Sequence, residues 1–252
     1  MQPNLTKAKL RRGQVVIGSF LYLPSARLAE LAGSCGFDFV VIDQEHGPVG
    51  IESAEEMVRA CELTGCTPLV RVPYLQSHAI LQVLDIGGMG VHIPNISTVE
   101  DAQKAVKLCK YAPQGNRGLA GVRAAGYGFR EKLADYCRTA NEEVMVIAHI
   151  EDIEAIRNLD SLLAVEGIDV YYLGPTDLSN SMGKPGQIDA EVKKVVDDAI
   201  AAIVRAGRVA GIITTDPEAA RRYLGMGVRY LATHAMHFMV AGSGAFVKAV
   251  KE

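Results

Sequence analysis

Polar side chains able to act on a substrate gather where apolar runs of this chain stop. One run closes on Asp43-Gln44-Glu45-His46-Gly47, and another carries Arg71 between Val70 and Val72-Pro73. A third ends in His149-Ile150-Glu151-Asp152, and a fourth in Gly174-Pro175-Thr176-Asp177-Leu178-Ser179. Glu151 and Asp177 offer hard oxygen donors, the kind that hold Mg2+ or Mn2+ while waters complete the shell. Such an ion is a Lewis acid toward a 2-oxo acid, which can chelate it through keto and carboxylate oxygens. Arg71 supplies a fixed positive charge for an oxygen that becomes an enolate. His46, just beyond Asp43, is a candidate base whose tautomer Asp43 would orient.

Each of these residues also has a plainer use. A strand-end carboxylate such as Asp177 often caps the next helix. Glu151 can cap as well, or pair with Arg71, and an arginine between two valines can serve only a structural ion pair. His46 in a loop can simply be solvated. Singly the signals are weak; what carries weight is that four separate segments place their polar residues in the same phase.

To bring them together, the chain needs strands that end on one side. Candidate strands are Val15–Tyr22, Phe37–Asp43, Thr67–Pro73, Gly90–Ile96, Val144–Glu151, Ile168–Gly174, Val209–Thr215 and Arg229–Thr233. Their near-continuous apolar character suits parallel strands covered on both faces. Amphipathic helical segments fill the gaps. Ser25 to Cys35 puts Leu28, Leu31, Ala32 and Cys35 on one face, with Gly36 as a stop. Ser53 with Glu56, and Thr98 with Asp101, have capping-box spacing. Asp189 to Ala206 precedes Gly207, and Pro217 opens a further helix. Strand–helix alternation repeated about eight times predicts a single-domain TIM (β/α)8 barrel over residues 1–252, whose chemistry lies at the C-terminal ends of its strands. A doubly wound open sheet is the alternative. No GxGxxG or P-loop follows a strand, so neither dinucleotide nor ATP binding is signalled. Tyr111 to Arg130, rich in Gly and Arg, predicts a long functional or interface loop.

Composition agrees with an enzyme of this size. The 252 residues are 49% hydrophobic, enough for a large core, and the net charge of −3 argues against a general nucleic-acid binder. The N-terminus lacks a secretory apolar stretch, and the longest apolar runs are too short to span a membrane. Cys35, Cys61, Cys66, Cys109 and Cys137 include no CxxC pair and read as reduced thiols of a cytoplasmic protein. Lys104 and Lys107 fall on a helical segment and Lys110 just after it, which disfavours a Schiff-base lysine.

Four stretches together resemble the HpcH/HpaI aldolase family, class II enzymes that cleave or form 4-hydroxy-2-oxo acids through a pyruvate enolate. They are Asp43 to Gly47, Val70 to Pro73, Pro113-Gln114-Gly115-Asn116-Arg117-Gly118, and Gly174 to Ser179 continuing to Met182-Gly183. The resemblance implies that Glu151 and Asp177 bind a divalent ion (Mg2+, Mn2+ or Co2+). It implies that Arg71 binds the pyruvate oxygen, and that Asp43 and His46 form an acid/base dyad. Backbone N–H groups at Thr176 and Asp177 would receive the substrate carboxylate. The partners implied are a 2-oxo acid and an aldehyde. The assembly implied is a homo-oligomer, hexamer or trimer, in which the last helix (Phe238 to Val250) is exchanged between subunits. A related barrel acting on oxaloacetate or an acyl-CoA, and a barrel that has lost catalysis, are the rival readings.

Two departures from the family pattern stand out. The family often has Gln where this chain has His149, which shares a strand face with Glu151 and is a further ligand, a substrate contact or a satisfied inward histidine. His234-Ala235-Met236-His237 replaces an Asp-containing segment, and its HxxH spacing leaves metal binding open.

Overall fold

The computed structural model describes all 252 residues. Eight parallel strands close on themselves in chain order, so the expected TIM barrel is the fold and the open sheet is excluded. The strands are β1 (Val16–Leu21), β2 (Phe39–Asp43), β3 (Thr67–Arg71), β4 (Gly90–Ile93), β5 (Met145–Ile150), β6 (Val170–Leu173), β7 (Ala210–Ile213) and β8 (Tyr230–His234). Most are shorter than the apolar runs that announced them. Apolar residues just outside the ladders, such as Val72 and Ile96 after β3 and β4 and Val144 and Ile168 before β5 and β6, are still buried.

Most helices on the outside start and stop where the local signals put them, although Leu31 and Cys35, expected on one packed face with Leu28 and Ala32, are exposed. Ser25 caps α2 (Ala26–Ser34), its hydroxyl accepting from the Leu28 N–H at 3.3 Å. Thr98 caps α5 (Val99–Cys109), its hydroxyl accepting from the Asp101 N–H and donating to the Asp101 carboxylate, so the reciprocal bond to the Thr98 backbone N–H that would complete a capping box is not made. Asp189 caps α10 (Ala190–Arg205), and Pro217 opens α11 (Pro217–Gly225). Ser53 does not cap: α3 (Ile51–Thr64) already starts at Ile51, so Ser53 lies inside its first turn. The segment from Tyr111 to Arg130 is an extended connection containing a short 3-10 turn, and Phe129 at its tip is 93% exposed.

The N-terminal segment folds into α1 (Leu5–Arg11), an element that periodicity did not announce. Asn4 caps it, accepting from the Lys7 N–H at 2.9 Å while its own amide donates to the Met89 and Glu143 carbonyls. Leu10 joins the residues that fill the barrel, so α1 closes the N-terminal end.

Strand alternation divides the apolar residues into two sets. Val16, Phe20, Phe39, Val41, Leu69, Met145, Ile147, Val170, Tyr172, Tyr230 and Ala232 fill the inside. Their neighbours, such as Val40, Ile42, Val70, Val146 and Ala148, pack against the helices. Gly18 shows how tight the inside is: a Cβ there would sit 2.2 Å from the Phe39 ring. The same parity, carried to the C-terminal ends, turns Tyr22, Asp43, Arg71, His92, His149, Glu151 and His234 inward. Asp43 pairs in register with Arg71, and Arg71 with His92.

The last helix, α12 (Ala235–Lys251), buries none of its residues, and Phe238, Met239, Val240, Phe246 and Val250 are exposed. None of the helices is long and apolar enough to cross a membrane.

Candidate active site

A cavity of about 270 Å3 opens at the C-terminal rim of the barrel, lined by Phe20, Tyr22, His46, Arg71, Glu151 and Asp177 among others. His149, Tyr172, Gly174, Pro175, Thr176, Ile213 and His234 complete its wall. Every predicted site residue except Asp43 reaches the cavity, and Asp43 lies directly behind Arg71.

Arg71 is held from two sides. Its Nε and Nη2 donate to the two oxygens of Asp43 at 2.9 and 2.5 Å, and its Nη1 is 3.0 Å from a Glu45 oxygen. Asp43 is fully buried and Arg71 nearly so, so the bidentate pair is shielded from water and fixed in direction. One N–H on each of Nη1 and Nη2 remains beyond these contacts. Burial disfavours the guanidinium charge, but its bonds to Asp43 and the charges of Asp43 and Glu45 outweigh it and raise the Arg71 pKa. Burial also raises Glu45, Arg71 opposing and Glu151 reinforcing.

The Asp43–His46 contact is a correction to the sequence reading. Asp43 Oδ1 accepts from the backbone N–H groups of Glu45 and His46, at 3.1 and 3.3 Å, rather than from the imidazole. The carboxylate thus shapes the turn that carries His46 and anchors Arg71. The imidazole is 58% exposed at the mouth, and its nearest carboxylate is Glu45, 3.9 Å away.

Glu151, just past β5, is nearly buried. Its Oε1 accepts from the Asn95 N–H at 2.8 Å, and its Oε2 from His149 Nδ1 at 3.0 Å. Burial would raise its pKa, but His149, the Asn95 N–H and Arg71 together lower it, favouring the carboxylate. Asp177 comes from the first turn of α9 (Pro175–Ser181) and is exposed. Gly174 lies between them: a Cβ there would stand 2.9 Å from Glu151 Oε2 and 3.8 Å from Asp177 Oδ2. The glycine therefore keeps the space between the two carboxylates open.

This pair could hold a divalent cation. No cluster of three or more His, Cys, Asp or Glu side chains converges as a metal cage. Two carboxylate oxygens plus waters or substrate oxygens suit a hard ion such as Mg2+, which seldom takes an all-protein cage. The first helical hydrogen bond of α9 runs from the Leu178 N–H to the Gly174 carbonyl at 3.0 Å. The N–H groups of Thr176 and Asp177 precede it and are available to an anion.

Tyr22 and His234, outside the predicted set of site residues, also line the cavity. The two stand at the ends of the neighbouring strands β1 and β8 and meet hydroxyl to Nδ1 at 2.5 Å. Burial, opposed by Arg71 and aided by Asp43 and Asp177, pushes Tyr22 up to about 12. Burial and Arg71 lower His234. In the HxxH segment, His234 ends β8 and turns to Tyr22, while His237 lies on α12 beside Phe238. Behind His149 sit His92 and Tyr230, both fully buried.

The HpcH/HpaI aldolase/citrate lyase family model matches residues 17–237. The chain belongs to this family. A hydroxypyruvate/pyruvate aldolase of Agrobacterium fabrum is 39% identical over 92% of this chain and 87% of its own length. A 4-hydroxy-2-oxovalerate aldolase of Novosphingobium aromaticivorans is 37% identical over 96% of this chain and 92% of its own. Among solved structures, an HpcH/HpaI aldolase/citrate lyase family protein from Burkholderia cenocepacia superposes with a TM-score of 0.93 at 32% identity. That superposition covers 99% of this chain and 100% of the other. The HpcH/HpaI match thus runs from β1 to the start of α12 and takes in the whole cavity.

Proposed function

We propose that the chain is a divalent-metal-dependent carbon–carbon lyase that cleaves or forms a 4-hydroxy-2-oxo acid from pyruvate, or a pyruvate-type donor, and an aldehyde. The observation that carries this reading is the convergence of Arg71, Glu151, Asp177, His46 and the Thr176 N–H on one rim cavity. Relatives named as pyruvate aldolases support it.

In the cleavage direction, the N–H groups of Thr176 and Asp177 receive the substrate carboxylate. The remaining N–H bonds of Arg71 face the C2 oxygen. Glu151 and Asp177 would hold a divalent ion (Mg2+, Mn2+ or Co2+), which would supply Lewis acidity at the 2-oxo group. His46 removes the C4 hydroxyl proton, the C3–C4 bond breaks, and its electron pair moves to C3 and the C2 oxygen. The aldehyde departs. Arg71, already locked by Asp43 and Glu45, meets the developing charge without reorganising. Protonation at C3 then gives pyruvate. No lysine lines the cavity; Lys110 instead donates to the Asn141 and Val144 carbonyls, so a Schiff-base route has no candidate amine here.

A cavity of this size suits a small acid better than an acyl-CoA. The exposed apolar residues of α12 support a homo-oligomer, trimer or hexamer, in which a second copy covers that helix. The buried thiols Cys61, Cys66 and Cys109 fit a reducing, cytoplasmic setting.

Incubation with pyruvate, a panel of aldehydes and Mn2+, followed by product analysis, tests the reading. We expect a 4-hydroxy-2-oxo acid from at least one aldehyde, and retro-aldol turnover lost in His46→Ala while Mn2+ still binds. Unchanged turnover in that variant would remove His46 from the mechanism.

A further inference from the structure

Beneath the cavity floor, four buried groups form one hydrogen-bonded line. Glu151 Oε2 meets His149 Nδ1 at 3.0 Å, His149 Nε2 meets His92 Nδ1 at 2.9 Å, and His92 Nε2 meets the Tyr230 hydroxyl at 2.7 Å. The parity of β4, β5 and β8 turns all of them inward. His92 and Tyr230 do not line the cavity, so neither can touch a substrate there.

The line has one direction. An ionised carboxylate only accepts, so a neutral His149 carries its proton on Nδ1 and presents a lone pair at Nε2. His92 must then donate from Nδ1, which leaves its Nε2 to accept from the Tyr230 O–H. Each ring nitrogen is used once, and both tautomers are fixed. Burial pushes Tyr230 well above the ordinary phenol range, which keeps the donor at the far end. Burial, with His149 and Arg71 adding to it, pulls His92 well below the ordinary histidine range. The tyrosine is itself clamped, its ring stacked on Phe39 with centroids 4.2 Å apart.

We propose that His92 and Tyr230 are positioning residues that set the tautomer of His92 and the plane of His149, and through them aim Glu151 at the cation. Asn95 holds the other carboxylate oxygen, so the line supplies the second of two fixed contacts. Without the Tyr230 O–H, the buried Nε2 lone pair of His92 has no donor, so the ring keeps only its bond to His149 and no longer fixes the plane in which His149 meets Glu151. Outer partners of a metal ligand commonly change affinity by about 10- to 100-fold. The role rests on the reading of Glu151 as a cation ligand.

Mn2+ titration of the metal-stripped protein tests it, with four variants compared. Tyr230→Phe keeps the ring on Phe39 and removes only the hydroxyl. We expect it to weaken Mn2+ binding about 10-fold. His149→Gln replaces the imidazole by an amide that has no tautomer. In that background, adding Tyr230→Phe should change affinity by less than about 2-fold, because the coupling runs through the imidazole. Equal losses in both backgrounds, or no loss in either, would overturn the positioning role. Glu151→Ala separates the two ideas: undiminished Mn2+ affinity there overturns the cation site itself. Independently of any substitution, 15N NMR of the imidazoles should find His92 and His149 both protonated on Nδ1. A His92 protonated on Nε2 would also overturn the assignment.

Discussion

The two ends of this barrel both bury charge, and they use it differently. At the N-terminal end, Lys7 pairs with Asp169 at 2.9 Å and donates to the Val144 carbonyl. Lys110 donates to the Asn141 and Val144 carbonyls at 2.7 Å, and Thr6 bridges Thr67 and the Asp38 carbonyl. These groups all end on protein partners, and α1 shuts the opening. At the C-terminal end, Arg71 is equally buried and equally paired, yet it keeps N–H groups in reserve. Asp177 is exposed, Gly174 holds the carboxylates apart, and the first turn of α9 leaves N–H groups open. Satisfied charge closes a barrel; charge satisfied on one side only makes a site.

Breaking the contrast at the rim should cost activity first. Arg71→Lys keeps the charge but loses the fork that grips Asp43 and aims the free N–H bonds. We expect turnover to fall about 100-fold with the melting behaviour little changed, as for loss of an oxyanion donor. Equal turnover in steady-state assays would show that the fork is only structural.

At the closed end the largest expected effect is on stability. Lys7→Met leaves Asp169 without its ammonium partner and should lower unfolding free energy by about 3 kcal/mol. Chemical denaturation measures this, and turnover per folded molecule should stay near that of the unsubstituted protein. A catalytic loss without a stability loss would undo the division between the two ends.

A smaller effect depends on pH. Burial, with repulsion from Lys7, lowers Lys110 to about 8, below its unfolded value. Between those two values the unfolded chain binds more protons than the folded one, so stability rises with pH. The unsubstituted protein should therefore gain about 2 kcal/mol over Lys110→Met between pH 8 and pH 10. A flat difference across that window would mean the ammonium is not desolvated.

How far this could be read from the sequence follows from the physics of each signal. All eight strands were legible because parallel strands buried on both faces are apolar throughout. The placement of Arg71, Glu151 and Asp177 was legible because strand ends in a barrel share one rim. Asp43 was found, but its partner was misread: adjacency to His46 in sequence hid its register match to Arg71, 28 residues away. His92 and Tyr230 were missed. Their partners lie 57 and 138 residues distant, and only a lone histidine inside a four-residue buried strand hinted at them. α1 was missed because its anchoring groups are polar, Asn4, Thr6 and Lys7, and periodicity registers only apolar faces.

At the open end, a pyruvate enolate would be stabilised by Arg71 and by the cation that Glu151 and Asp177 would hold. Exchange of the pyruvate methyl protons for deuterium, followed by NMR in D2O with Mn2+, measures it most directly. Mn2+-dependent exchange is expected in the unsubstituted protein and in Lys7→Met, with its loss in Glu151→Ala and Asp177→Ala. Undiminished exchange in either carboxylate variant, or none at all with the metal present, would contradict that role for the pair.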